Sequence, residues 1–284
     1  MLLTLSAISL RAMLARGKSG KPKLDLLDLP QYTRQELGLH GLNVSTDLLA
    51  GVSRETLERL RERADKAGCA CLLLIEAEPQ PFGDPSESAG AAAVERLHKV
   101  IQAAHILGCN AAAVKIQAVD DPTVVQRCAE RLRKGVERAE RLELNVLVSP
   151  HEGLTKTLER VTELIKKVGG FRVGTFPDFQ AAAASPDPVS YLRRLTPYAS
   201  VVSASTVKFV PEKGSESADA GAYKHQPYDL EPLVAAILSV GYDGTLAIEY
   251  RGTGDAKMGV MRSRQALERL LEGEPAPADE DEDE

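Results

Sequence analysis

Apolar positions along the chain follow two alternating periods. Stretches with an apolar residue every three or four positions are separated by short, nearly continuous apolar runs. A glycine marks most of the junctions, as in Leu37-Gly38-Leu39, Ala67-Gly68-Cys69, Leu107-Gly108-Cys109, Val168-Gly169-Gly170 and Val240-Gly241-Tyr242. The first kind of stretch predicts amphipathic helices, the second predicts buried strands, and the glycine predicts a left-handed helix stop. Eight runs qualify as strands: 2–8, 39–44, 69–75, 111–116, 145–148, 172–176, 200–205 and 245–250. Several are apolar or small throughout, which suits parallel strands covered by helices on one side and core on the other.

The helices between them are well marked. Asp120-Asp121-Pro122 supplies an acidic cap and a first-turn proline, after which Val124, Cys128, Leu132, Val136 and Ala139 form one stripe. Leu154, Leu158, Val161, Ile165 and Val168 form the next, and further helices are expected over 54–66, 91–107, 230–239 and 257–271. Strict alternation of strand and helix requires parallel pairing through right-handed crossovers. Eight units in about 270 residues match a single α/β domain, a closed (β/α)8 TIM barrel over residues 1–271. An open doubly wound sheet is disfavoured, because no glycine fingerprint follows the first strand. Residues 272–284 lack apolar periodicity and are expected to form a disordered acidic tail.

Charge and composition narrow the classes. The net charge of −6 comes from the tail: residues 272–284 hold eight acids and no base, and without them 35 basic residues face 33 acidic ones. A nearly neutral barrel with 7 Tyr, 5 Phe and no Trp lacks the phosphate-neutralising and stacking surface of a nucleic-acid binder. No stretch reaches membrane-spanning length, so no membrane partner is expected. Cys69, Cys71, Cys109 and Cys128 lie in apolar surroundings without a secretory context, which points to a cytoplasmic protein. The tail is either a solvated terminus or a docking segment for a basic protein partner. Gly17-Lys18-Ser19 lacks the spacing of a phosphate-binding loop.

In such a barrel, chemistry gathers at the carboxyl ends of the strands. The candidates there are Lys115 on strand 4; Ser149, Pro150 and His151 after strand 5; Asp178 after strand 6; Ser203 and Ser205 on strand 7; and Glu249 and Arg251 on strand 8. Asp178 and Glu249 each follow an apolar run directly. Two carboxylates at one rim must be hydrated, paired or bound to a cation. With His151 they offer oxygen and nitrogen ligands to Mn, Mg or Zn. Alternatively they pair with Lys115 or Arg251 and hold loops in place. Arg251-Gly252-Thr253-Gly254 suits an anion-binding loop or a simple flexible one. The polar stretch 208–228, which contains Lys208 and His225, is expected to be a lid over the mouth or a disordered segment. His40, His98 and His105 fall away from the mouth and are expected to be structural.

Gly174-Thr175-Phe176-Pro177-Asp178-Phe179, Val202-Ser203-Ala204 and the run from Gly241-Tyr242-Asp243-Gly244 to Ile248-Glu249-Tyr250 resemble the sugar phosphate isomerase/epimerase family. This xylose-isomerase-like TIM-barrel group also includes apurinic endonucleases. The resemblance extends to Asp28-Leu29-Pro30 and to the run from Ala104 to Cys109. It implies a divalent metal at strand-end carboxylates and His, with proton transfer next to a carbonyl or hydroxyl of a sugar-like substrate. On that basis Glu249 and His151 are the candidate catalytic groups. Asp178, Glu249 and His151 are the candidate metal ligands, and Ser149, Ser203, Ser205, Arg251 and Lys115 the candidate substrate contacts.

The departures from that pattern are specific. Where the family places Glu-Asn-His after strand 5, this chain has Ser149, Pro150 and His151; Gln180-Ala181 replaces Gly-Asn after strand 6. Ser205 and Lys208 stand where relatives carry Lys and then Asp, and Arg251 replaces a second Glu. Epimerisation by two opposed bases needs a proton acceptor on each face of the reacting carbon, and Ser149 is a poor one. Two functions follow from these residues. One is an isomerase- or epimerase-like protein acting on or binding a small sugar-like molecule. The other is a catalytically degenerate relative that serves as a ligand- or protein-binding module.

Overall fold

The computed structural model describes residues 1–15, 21–211 and 223–273. Gly17-Lys18-Ser19, the middle of the 208–228 stretch and the acidic tail beyond 273 lie outside the described residues.

Ten strands form among the described residues: β1 (Leu2–Ser6), β2 (Gly41–Ser45), β3 (Ala70–Ile75), β4 (Ala111–Lys115), β5 (Asn145–Ser149), β6 (Val173–Thr175), β7 (Val201–Thr206), β8 (Lys208–Pro211), β9 (Tyr223–Gln226) and β10 (Thr245–Tyr250). Eight of them build one parallel sheet in the order β6-β5-β4-β3-β2-β1-β10-β7. The sheet curls until its ends meet: parallel bridges join Thr175 to Ala199 and Asp178 to Ser203, and Ser203 N donates to Pro177 O at 2.8 Å. The chain is thus a single (β/α)8 TIM barrel whose thinnest seam is at the three-residue β6.

Strand parity sorts the side chains. Leu73, Ala111, Ala113, Leu147, Phe176, Val201 and Ala247 form a separate apolar cluster that fills the barrel. Intervening positions such as Leu74, Ala112, Val146, Val202 and Ile248 pack outward under the helices. Two steps beyond the filled layer, the inward positions are Lys115 on β4, Ser149 on β5 and Glu249 on β10. Alternation therefore delivers these three side chains to the mouth.

The helices begin and end where their capping residues predict. Ser53, Ser86 and Asp121 each accept a backbone N–H of the first turn, opening helices Arg54–Ala67, Glu87–Leu107 and Pro122–Arg141. Gly68 and Gly108, at φ +62° and +77°, close the first two. Three boundaries differ from expectation: helix Glu87–Leu107 begins four residues ahead of the expected 91, and two others shift. Leu154 is buried but lies ahead of its helix, Leu158–Val168. The last helix, Ala256–Glu272, runs one residue into the segment assigned to the tail.

The 208–228 stretch is ordered at both ends: β8 and β9 pair as an antiparallel hairpin. His225 explains the anchoring. Its Nε2 accepts from Val207 N at 2.8 Å and its Nδ1 donates to Tyr228 O at 2.7 Å, which fixes one neutral tautomer. Burial also pushes its pKa below the ordinary value. His225 is therefore a hairpin anchor and not a ligand contact. All four cysteines are free and buried. Burial pushes the Cys69 and Cys71 thiols up to about 12, so they stay protonated at neutral pH. No helix among the described residues is long and apolar enough to cross a membrane.

The β6 seam leaves no room for a side chain at its middle residue. A Cβ on Gly174 would lie 2.2 Å from the Tyr198 carbonyl oxygen, and backbone cannot swing aside. Gly174→Ala is expected to destabilise the fold by about 1–3 kcal/mol, the usual cost of overpacking. Urea unfolding checks this; a change under about 0.5 kcal/mol, typical of a neutral surface site, would count against the seam as a rigid contact.

Candidate active site at the barrel mouth

A cavity of about 1030 Å³ opens at the carboxyl ends of the strands, and Lys115, Ser149, His151, Asp178, Glu249 and Arg251 all contribute to its wall. Asp178 gets there through the seam. After β6 the chain turns at Pro177, and Asp178 then serves as N-cap of the short helix Phe179–Ala183, its Oδ1 accepting from Ala181 N at 2.9 Å. The cap orients a carboxylate that is only 5% exposed. Glu249 arrives by strand parity, and its Oε2 accepts from Ser6 Oγ at 3.0 Å.

Arg251 joins the two acids. Its Nη1 and Nη2 donate to Asp178 Oδ1 and Oδ2 at 3.1 and 2.7 Å, and its Nε donates to Glu249 Oε1 at 2.7 Å. Nη1 also donates to Gln180 Oε1 at 2.8 Å. The fork-to-fork pairing with Asp178 matches a planar guanidinium to a carboxylate. Burial works against the charge on Arg251, but Asp178 and Glu249 outweigh it and raise its pKa above the ordinary value. Of the two readings of the acids, pairing with Arg251 is the one observed.

The opposite wall is less saturated. Lys115 and Ser149 are direct neighbours in the β4–β5 ladder. Lys115 Nζ donates to Ala77 O at 3.2 Å, and no carboxylate pairs with it among the described residues. Ser149 Oγ is buried without a partner. The His151 ring makes no hydrogen bond among the described residues. Burial and the nearby Lys115 charge together push its pKa below 6.5, against a smaller upward pull from Glu152.

Several expectations need correction. Ser203 and Ser205 are buried on β7 but do not form part of the cavity wall. Ser205 Oγ accepts from Gln180 N at 2.9 Å and lies 3.5 Å from Tyr228 Oη, so its capacity is spent on structure. The loop after β10 is a poor anion site, because Arg251 is committed to carboxylates. The following helix already has Asp255 on its N-terminus, accepting from Met258 N at 2.8 Å. His151 does not join Asp178 and Glu249: no group of three or more His, Cys, Asp or Glu side chains among the described residues is arranged to hold a metal ion. The donor set therefore does not fit Mn, Mg or Zn, since all four oxygens of the two acids already accept hydrogen bonds.

Among the residues the sequence reading missed are Ser6, which hydrogen-bonds Glu249, and Tyr191, which contributes to the cavity wall. Ser6 sits at an inward position near the end of β1, and parity alone identifies it. Tyr191 comes from helix Pro188–Leu195; its hydroxyl is buried without a partner, and burial, with Asp178 nearby, raises its pKa. It looks like an ordinary apolar helix position in the sequence, so no local signal marks it.

Removing the Lys115 charge should release part of the suppression on His151. Lys115→Met is expected to move the imidazole titration upward toward 6.5, followed by NMR of the ring protons. An unchanged or lower midpoint would show that Lys115 does not act on His151.

The family model for the xylose isomerase-like TIM barrel matches residues 34–271. No curated protein matches this chain by sequence. Among solved structures, an L-ribulose 3-epimerase superposes with a TM-score of 0.76 at 15% identity, covering 96% of this chain and 95% of that one. The IolI protein with a bound zinc atom gives 0.72 at 13% identity, covering 98% and 100%. A xylose isomerase-like TIM barrel protein from Mycobacterium smegmatis in complex with magnesium gives 0.68 at 17% identity, covering 95% and 97%. At these identities the superpositions establish the barrel, and the family model establishes membership: this chain belongs to the xylose isomerase-like TIM barrel family.

Proposed function

We propose that the barrel mouth binds a small sugar-like molecule, as an isomerase- or epimerase-like member of its family. The observation that carries this reading is the unused polar capacity of the β4–β5 wall. Lys115, the Ser149 hydroxyl and the His151 ring converge on a cavity of about 1030 Å³, and buried polar groups without partners are costly unless a ligand or water satisfies them. Polyhydroxylated ligands supply such partners in number. A site of this kind, concave with a few convergent polar groups, is the common form of small-molecule pockets.

Within this reading the roles divide by wall. His151 is the proton-transfer group, because its lowered pKa keeps the imidazole neutral and able to accept a proton near pH 7. Lys115 and Ser149 orient the ligand. Glu249, the other candidate catalytic group, holds Arg251 in place together with Asp178. Loss of turnover with binding retained is the degenerate form of the same reading. A divalent metal at Asp178, Glu249 and His151 carries no step in it.

Thermal unfolding against sugars, polyols and sugar phosphates tests the proposal in metal-free buffer. A true ligand at 100 times its Kd stabilises the fold by about 2.7 kcal/mol, a Tm rise of roughly 5–10 °C at this size. The rise should shrink at least tenfold in ligand potency on Lys115→Ala or Ser149→Ala. No response across the panel, or responses indifferent to both substitutions, would overturn the assignment.

A further inference from the structure

We infer that Arg251 is a permanent built-in cation occupying the place between Asp178 and Glu249, and that it closes this site to divalent metal. The inference rests on hydrogen-bond geometry and charge, and it stands whether or not the ligand proposed above is correct.

The two acids carry two negative charges at one rim, and a positive group must compensate them. The guanidinium does so with three N–H donors to three carboxylate oxygens. The fourth oxygen, Glu249 Oε2, takes the Ser6 hydroxyl, and Asp178 Oδ1 also takes the Ala181 amide. A hard divalent ion needs oxygen ligands at about 2.0–2.6 Å. Any ion that reached these oxygens would displace the guanidinium or sit against it, like charge on like charge. Gln180, the other neutral oxygen in reach, is also taken by Arg251 Nη1. Two proteins of the same fold have been solved with zinc or with magnesium; in this chain the guanidinium supplies the positive charge between the two acids.

The closure depends on this one side chain. Removing the guanidinium frees oxygens of Asp178, Glu249 and Gln180 together, and carboxylate and amide oxygens are the donor types that Mn and Mg take. Arg251 thus decides that the pocket is metal-free, and only its removal by mutation is expected to open the site to an ion.

The test uses the full chain, stripped with EDTA and then equilibrated with Mn, Mg or Zn at millimolar concentration. Bound metal is read by elemental analysis after gel filtration, and stability by thermal unfolding with and without each ion. Wild type is expected to retain well under one equivalent and to show no Tm response. Arg251→Ala is expected to melt lower and to regain roughly 5 °C with at least one of the ions, the shift that tight binding produces. That gain should vanish in the Arg251→Ala/Asp178→Asn double variant. Arg251→Lys, which keeps a cation, should remain unresponsive. Should Arg251→Ala not fold alone, folding only when metal is present supports the inference, and failure in both media counts against it. Stoichiometric metal in wild type that is lost on Asp178→Ala, or an Arg251→Ala protein blind to all three ions, would overturn it.

Discussion

Two carboxylates brought to one rim of a closed cylinder need a cation. Asp178 is nearly buried and Glu249 is only slightly more exposed, so water screens neither well, and their mutual repulsion grows as the local dielectric falls. Arg251 resolves the conflict from two residues beyond Glu249, close enough along the chain to need little loop ordering. A planar fork can satisfy both oxygens of Asp178 and still reach Glu249 through Nε. Deleting one partner of a fully buried pair typically costs about 3–5 kcal/mol; Arg251 is a third exposed, so water screens the pair in part and the cost here is smaller. The mouth therefore owes its shape to one side chain as much as to the strands that frame it.

Barrel closure and site assembly are the same event. β6 contributes only three ladder residues, and the seam is completed by the bridges from Thr175 and Asp178 to the start and middle of the β7 region. The Asp178 backbone thus pairs across the seam while its side chain caps the following helix and holds Arg251. Gly174 lets the chain pass the Tyr198 carbonyl just before this point. A shift of the seam would move the cap, the carboxylate and the guanidinium together.

Much of this was legible in the sequence, for physical reasons that can be named. Periodicity and glycine stops gave the barrel, since each helix must bury one stripe against the sheet. Strand ends followed by polar residues located Lys115, Ser149, Asp178 and Glu249 at the mouth. The failures came from contacts between distant segments. Ser205 points inward as its parity demands, yet Tyr228, 23 positions later, folds back and donates to the Ser205 carbonyl at 2.6 Å. The 208–228 stretch reads as a lid or a disordered segment from its polarity; its described ends pair as a hairpin whose anchor, His225, is recognisable only once Val207 and Tyr228 flank its ring.

The resulting mouth is electrostatically lopsided, and that asymmetry limits what it can bind. On the β6–β10 side, Asp178, Glu249, Gln180 and Ser205 are occupied with one another or with Arg251, so a ligand gains little by approaching them. On the β4–β5 side, Lys115 lacks a carboxylate partner among the described residues and Ser149 Oγ lacks any partner. Each unmet donor there is worth more to a ligand than another contact on the saturated wall, because it removes a desolvation cost already present in the empty pocket. A polyhydroxylated molecule with one electronegative edge would therefore lie with that edge toward Lys115 and His151. A guanidinium fixed by three carboxylate bonds also cannot follow a substrate oxygen through a reaction as a coordinated ion can. On the proposed reading, proton transfer therefore falls to His151 on the β4–β5 side and not to the acids held by Arg251.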